Sequence, residues 1–234
     1  NADLPESEYV TFPAGKMLVA GEGDDAGYLV LVDKPKEKFD VTFLDAEGQT
    51  FAIVQVEDGS TVEAPAATPA ALKTWQSFDK WDFDFTTAIT EATSISPLFK
   101  VGFTGEGTAA APWQIASEAD LLKLQAYIAD GQTTAGKFFQ QTADIALSAA
   151  FDGIGQRDMK DTLGSDLAAY TSANVFKGTY DGGNKTVSGV ILKTGDYIGF
   201  FNSCYGATIK NLKLSLGNAT GWSDATADQV GAVF

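Results

Sequence analysis

A chain of 234 residues with 44% hydrophobic residues, 12% aromatic residues and 24 glycines is folded and strand-prone, and is long enough for two or three small domains. Its formal net charge of −15 opposes binding to nucleic acid and to anionic lipid, because both would repel the average surface. It has no histidine, which excludes a Ser-His-Asp triad, a Cys-His dyad and a His-Glu-x-x-His zinc site within the chain and leaves carboxylate chemistry for any catalysis.

No apolar run reaches membrane-spanning length, and no phosphate-cradling Gly-x-x-x-x-Gly-Lys-Ser/Thr loop occurs. The first five residues carry no basic, apolar leader, so any signal peptide is expected to have been removed or to lie outside this sequence. Residues 8–12, 16–20 and 28–32 alternate as short strands and predict a small antiparallel β unit over residues 1–35. The glycine-rich turn between the last two carries Glu22, Asp24 and Asp25, hard oxygens that suit calcium. It lacks the spacing of a calcium loop, so a solvated turn is the expectation.

The charged, proline-containing break at residues 34–38 ends that unit. Residues 39–43 and 49–56 alternate around Asp45-Ala46-Glu47-Gly48 and predict a hairpin, while Pro65 and Pro69 bar regular pairing after it. Trp75, Trp81, Phe83 and Phe85 could stack on sugars, but a module of this size has little else to bury and core packing is expected. Asp82 and Asp84, at strand spacing, share a face and are expected to be solvated. Val41-Thr42-Phe43, Asp58-Gly59-Ser60-Thr61-Val62, Pro65, Phe78-Asp79-Lys80-Trp81, Asp82-Phe83-Asp84-Phe85 and Ala88-Ile89-Thr90 resemble the internalin-type B repeat (Listeria-Bacteroides repeat) of bacterial surface proteins. The resemblance implies a β-grasp-like module over residues 36–101.

Residues 102–111 are small and predict a linker. Ser117-Glu118-Ala119-Asp120 is a capping-box-like start, Leu121, Leu124 and Ile128 keep helical spacing, and Asp130-Gly131 closes the segment. The apolar face of this helix is expected to cover the open end of the strands C-terminal to it, whose edges would otherwise invite pairing. Residues 137–142 and 144–147 give the first of those strands. From 155 to 176 the pattern lapses into a polar stretch containing Arg157, Asp158, Lys160, Asp161 and Asp166, and a loop of that length predicts a ligand contact. The three aspartates could hold a cation, a solvated charge run being the stronger reading.

Beyond it the sequence repeats. Lys185-Thr186-Val187-Ser188-Gly189-Val190-Ile191-Leu192 lies over Ala207-Thr208-Ile209-Lys210-Asn211-Leu212-Lys213-Leu214 at an offset of 22 residues (208 − 186). Asp181-Gly182-Gly183-Asn184 reverses the chain before the first copy, Ile198-Gly199-Phe200-Phe201 forms a small-residue corner, and Val230-Gly231-Ala232-Val233-Phe234 echoes it. A period in the twenties predicts stacked coils with a shared core. Cys204, the one cysteine, reads as a small buried hydrophobe.

These residues, with Gly105-Glu106-Gly107-Thr108, Pro112-Trp113-Gln114-Ile115 and Ala143-Asp144-Ile145-Ala146-Leu147, resemble bacterial surface proteins carrying GLUG-type repeats on a right-handed parallel β-helix. The resemblance implies that residues 102–234 are the helix-capped start of such a β-helix. The expected fold is mostly β: the small N-terminal β unit, the β-grasp-like module and the N-terminal part of a right-handed parallel β-helix. The implied function is a non-catalytic segment of a larger secreted or surface-anchored bacterial protein, an adhesin-like stalk or binding surface. Its expected partner is a host or neighbouring-cell protein or carbohydrate, with no cofactor beyond the possible calcium. The other reading is an ancillary, non-catalytic part of a secreted polysaccharide-cleaving enzyme or peptidase. Such enzymes need several carboxylates on one coil face, and the recognisable coils offer only Asp181 and Asp196.

Overall fold

The computed structural model describes residues 13–155, 174–190 and 199–216. The strand expected at 8–12 and the echo at 230–234 lie outside the described residues. The chain is mostly β, with one α-helix among the described residues, and divides into two compact units, residues 1–69 with 80–98 and residues 70–79 with 99–234.

In the first unit, β1 (Lys16–Ala20) and β2 (Leu29–Asp33) pair antiparallel from Lys16↔Asp33 to Ala20↔Leu29. Their connection contains a single 3-10 turn, Gly23–Asp25, whose aspartates are exposed. Next, β3 (Lys38–Leu44) and β4 (Thr50–Glu57) form the expected hairpin. Its turn is fixed by Asp45, whose Oδ1 accepts from the N–H groups of Glu47 (2.9 Å) and Gln49 (2.8 Å), and by Gly48 at φ 78°, a conformation that costs a glycine little.

On its other side β3 pairs with β6 (Thr93–Ile95) in parallel, giving the sheet order β4-β3-β6, with β5 (Gln76–Trp81) lying between β4 and β6 in the chain. Val41, Phe43 and Ile95 are fully buried on one face of this sheet. Trp81 covers that face, its ring edge-on to Phe43 at 5.0 Å and 6.0 Å from Phe51. β5 pairs with β7 (Pro97–Val101), and the boundary between the two units runs through both strands.

The second unit is built from parallel ladders. β8 (Trp113–Ile115), β9 (Phe138–Gln141), β11 (Thr179–Asp181) and β13 (Thr208–Lys210) form one sheet, and β10 (Ile145–Ala146), β12 (Thr186–Val190) and β14 (Lys213–Leu216) form another. In the first, the registers Trp113↔Phe139, Phe139↔Tyr180 and Tyr180↔Ile209 line up one inward column. In the second, Ile145↔Val187 and Val187↔Leu214 line up another. Alternation along each short strand thus delivers an apolar or aromatic side chain to the core at every crossing. The buried Gln141 is satisfied by accepting from Tyr180 Oη (3.3 Å) and donating to the Ala143 carbonyl (2.9 Å).

Two expectations are corrected here. The 22-residue offset does not hold: Val187 pairs with Leu214, 27 residues on (214 − 187), and Thr208 pairs with Thr179, so the strands follow no single fixed period. The stretch 207–214 is two strands with a corner between them. Residues 102–111 are not a linker, since Phe103 is buried and stacks on Trp113 at 5.4 Å. The Thr104 and Gly107 carbonyls also accept from the N–H groups of Gln114 (2.9 Å) and Phe138 (3.0 Å). The core packing expected of the tryptophans is found, in two separate cores: Trp81 is buried in the first unit, while Trp75 is buried in the second against Tyr127 at 5.2 Å.

Candidate binding groove on the second unit

The helix α1 (Glu118–Ala129) sets the geometry of the candidate site. Ser117 Oγ accepts from the Asp120 N–H at 3.3 Å, and Asp120 Oδ2 accepts in return from Ser117 Oγ (2.8 Å) and the Ala116 N–H (3.1 Å), so the reciprocal cap expected from the sequence is formed. Burial alone would raise the Asp120 pKa, but the Ser117, Ala116 and Lys123 hydrogen bonds together bring it below its ordinary value. Glu118 accepts from the Ser148 N–H (2.9 Å) and Oγ (2.8 Å), and these bonds, the backbone one first, lower its pKa. At the far end Asp130 accepts from Lys73 Nζ (2.6 Å) and Trp75 Nε1 (3.2 Å), and Gly131 at φ 79° stops the helix.

One face of α1, Leu121, Leu124, Tyr127 and Ile128, is buried in the same cluster as Trp113 and Ile115 of β8. Beside it, Leu122, Gln125, Ala126 and Ala129 line a cavity of about 600 Å³ together with Asp152, Gly153, Gly155, Asn174 and Asn202. Side-chain amides fix that lining. Gln125 Nε2 donates to the Gly153 carbonyl (2.6 Å), Asn174 Nδ2 to Ala129 (3.2 Å), and Asn202 Nδ2 to Asp152 (2.6 Å) and Gly155 (3.3 Å). Asn202 Oδ1 accepts from the Gly199 N–H at 3.1 Å. Gly153, at φ 77°, has no room for a Cβ, which would collide with Asn202 Oδ1 and the Gly199 carbonyl.

Among the described residues the groove is lined by small apolar side chains, neutral amides and backbone carbonyls, with Asp152 the one carboxylate. The remaining oxygens, Gln125 Oε1 and Asn174 Oδ1, suit a ligand that donates hydrogen bonds. Among the described residues no group of three or more His, Cys, Asp or Glu is placed to hold a metal ion.

Arg157, Asp158, Lys160, Asp161 and Asp166 lie outside the described residues, as does Asp196. The polar stretch that carries the first five lies in the chain between Gly155 and Phe176, and Gly155 and Asn174 line the groove. Asp82 and Asp84 are exposed, Asp82 bonded across to Ser96, 14 residues on, and Asp84 within its own turn. Asp82 Oδ1 accepts from the Ser96 N–H (2.6 Å), and Asp84 Oδ1 accepts from Thr86 Oγ1 (2.7 Å) and N–H (3.0 Å), bonds that lower the Asp84 pKa. Asp181 holds a corner: Asn211 Nδ2 and the Gly183 N–H donate to it at 2.9 Å each, and these with Lys210 lower its pKa. The Cys204 thiol is pushed up to about 12 by burial.

Gln125, Asn174 and Asn202 are groove residues that the sequence reading missed. The paired Gly153 and Gly155 were the nearest signal, since a glycine at positive φ marks a close backbone approach. No helix of the described residues is long and apolar enough to cross a membrane. Comparison with protein-family models, with curated proteins and with solved structures found no match to this chain.

Proposed function

We propose that the chain is a non-catalytic segment of a larger secreted or surface-anchored bacterial protein, acting as an adhesin-like stalk or binding surface. In this reading the first unit contains a β-grasp-like, internalin-type B-repeat module. The second is the helix-capped start of a right-handed parallel β-helix with GLUG-type repeats. Ligand contact falls at the α1 groove and on Arg157, Asp158, Lys160, Asp161 and Asp166.

The observation that carries the reading is the pair of parallel ladders, in which successive passes of the chain stack one inward column from Trp113 to Ile209 and another from Ile145 to Leu214. Stacked passes of this kind make an extended, rigid support whose connections are free to vary, the arrangement that presents binding loops at low entropic cost. The parallel β3–β6 pair beside the β3–β4 hairpin supports the β-grasp-like module.

The test immobilises the chain against a printed glycan array and a panel of extracellular-matrix proteins. In parallel the chain is incubated with polysaccharides and peptides in the presence of calcium. Saturable capture without product release is expected. Turnover that Asp181→Asn abolishes would replace the binding reading with an enzymatic one.

A further inference from the structure

The first unit carries a second surface, independent of the α1 groove. β4 is an edge strand: among the described residues no strand lies beyond it in the order β4-β3-β6. Natural edges are blunted by Pro, Lys or inward charges because an open row of backbone groups recruits other strands. β4 reads Thr50-Phe51-Ala52-Ile53-Val54-Gln55-Val56-Glu57, with no Pro, Gly or Lys and its only charge at the end. The Asp58 N–H donates to the Glu37 carbonyl at 2.8 Å, and hydrogen-bonded pairs alternate along an antiparallel ladder. The N–H groups of residues 52, 54 and 56 therefore face β3, and those of Ile53, Gln55 and Glu57 face outward.

Beside this edge lies a slot of about 500 Å³ between β4 and residues 60–65. Val54, Val56 and Val62 line it. Val54 sits directly across from Val41, which is fully buried, yet is itself 38% exposed, so the core-side face of the sheet is left open at this point. Exposed Glu57 and Glu63 also line the slot, in a chain whose net charge is −15.

We propose that β4 takes an extended segment of a partner protein as an added strand. The outward groups of Ile53 and Gln55 supply the backbone hydrogen bonds, an aliphatic side chain enters the slot on Val54, Val56 and Val62, and a neighbouring Lys or Arg meets Glu57 and Glu63. Backbone pairing provides affinity and the slot provides side-chain selection, the division of labour in strand addition. The acidic rim sets the sign of the partner's charge and makes the encounter salt-dependent.

The probe is a capped hexapeptide of alternating lysine and valine, compared with its two alternate N-methylated isomers, each lacking the N–H donors of one strand edge. The full chain is titrated with each while its amide resonances are followed. The parent peptide should shift Ile53, Gln55 and Glu57 most. At least one N-methylated isomer should bind more than tenfold more weakly. Gln55→Pro, which removes an outward N–H at a position where an edge strand tolerates proline, should weaken binding at least tenfold with the far-UV spectrum retained. Glu63→Lys, at an exposed site that does not risk the fold, should weaken it severalfold and reduce its salt dependence. Binding of both isomers as tight as that of the parent peptide, shifts centred elsewhere, or unchanged binding by Glu63→Lys would overturn the proposal. Self-association of the free chain with protection of the β4 amides would also overturn it, assigning the edge to a second copy.

Discussion

Leu124→Ala removes three carbons from a side chain of α1 that is 0% exposed and belongs to the core cluster of the second unit. At about 0.8 kcal/mol per buried CH₂ the transfer loss is about 2.4 kcal/mol. The cluster is rich in rings, with Trp113 5.6 Å and Trp75 5.2 Å from Tyr127 of the same helix. Such rings close a void poorly, so a cavity term brings the cost to about 3–5 kcal/mol. Leu122→Ala is the control: it makes the same chemical change on the same helix at a residue that is 50% exposed, and should stay within about 0.5 kcal/mol. Because two units need not unfold together, the assay is native-state amide exchange read on β9 and β11. An opening energy lowered by about 3 kcal/mol or more speeds exchange by at least about a hundredfold. Equal exchange in the two variants, or no change in either, would show that α1 is not docked through its Leu121, Leu124 and Ile128 face.

Trp81→Ala should destabilise the first unit by about 3–5 kcal/mol, speeding exchange in β3 and β6 while leaving β9 and β11 protected. The lowered pKa values of Glu118, Asp130 and Asp181 contribute stability that is present above the unfolded carboxylate values, near 4, and is lost as pH falls through the folded ones. Urea midpoints of the wild type and Asp181→Asn should therefore differ at pH 6 and draw together as pH falls below the unfolded carboxylate range. Replacing residues 157–166 with a short Gly-Ser bridge should leave the thermal transition nearly intact and abolish capture of any ligand found by array.

What could be read from the sequence was local. The β3–β4 hairpin follows from alternation and from Asp45 and Gly48, and α1 follows from Ser117, Asp120 and the spacing of Leu121, Leu124 and Ile128. Each signal is complete within a few residues. The parallel β3–β6 pair joins residues some fifty apart and leaves no local mark, because Thr93-Ser94-Ile95 is too short to show alternation. Trp75 and Trp81 are six residues apart and look like one cluster, yet the chain passes from one unit to the other between them. Phe103 was hidden among small residues, which are there because the backbone runs close to the Trp113 ring: a Cβ on Gly107 would come within 2.7 Å of it. The groove amides were invisible for a different reason. Asn and Gln are common on surfaces, and only tertiary placement brings Gln125, Asn174 and Asn202 together.

The failed 22-residue offset has a specific cause. Strand alternation has a period of two, so any even shift matches apolar residues to apolar residues, and the match cannot tell one strand from two joined at a corner. The corner is Asn211, at φ 53°, answering Asn184 at φ 58° in the pass before it. Asn211 Nδ2 also donates to Asp181 Oδ1 at 2.9 Å, tying one corner to the next. Two contributions can therefore be separated. Asn211→Ala loses the hydrogen bond, worth about 1 kcal/mol, and places an ordinary side chain in the left-handed region at a further cost of about 1–2 kcal/mol. Asn211→Gly loses the hydrogen bond but relieves the backbone. The alanine variant should be the less stable of the two by about 1 kcal/mol in urea unfolding, with β13 and β14 exchanging fastest in it. Were glycine the worse substitution, the left-handed conformation would not be what limits this corner, and the freedom glycine adds to the unfolded chain would outweigh the strain it relieves.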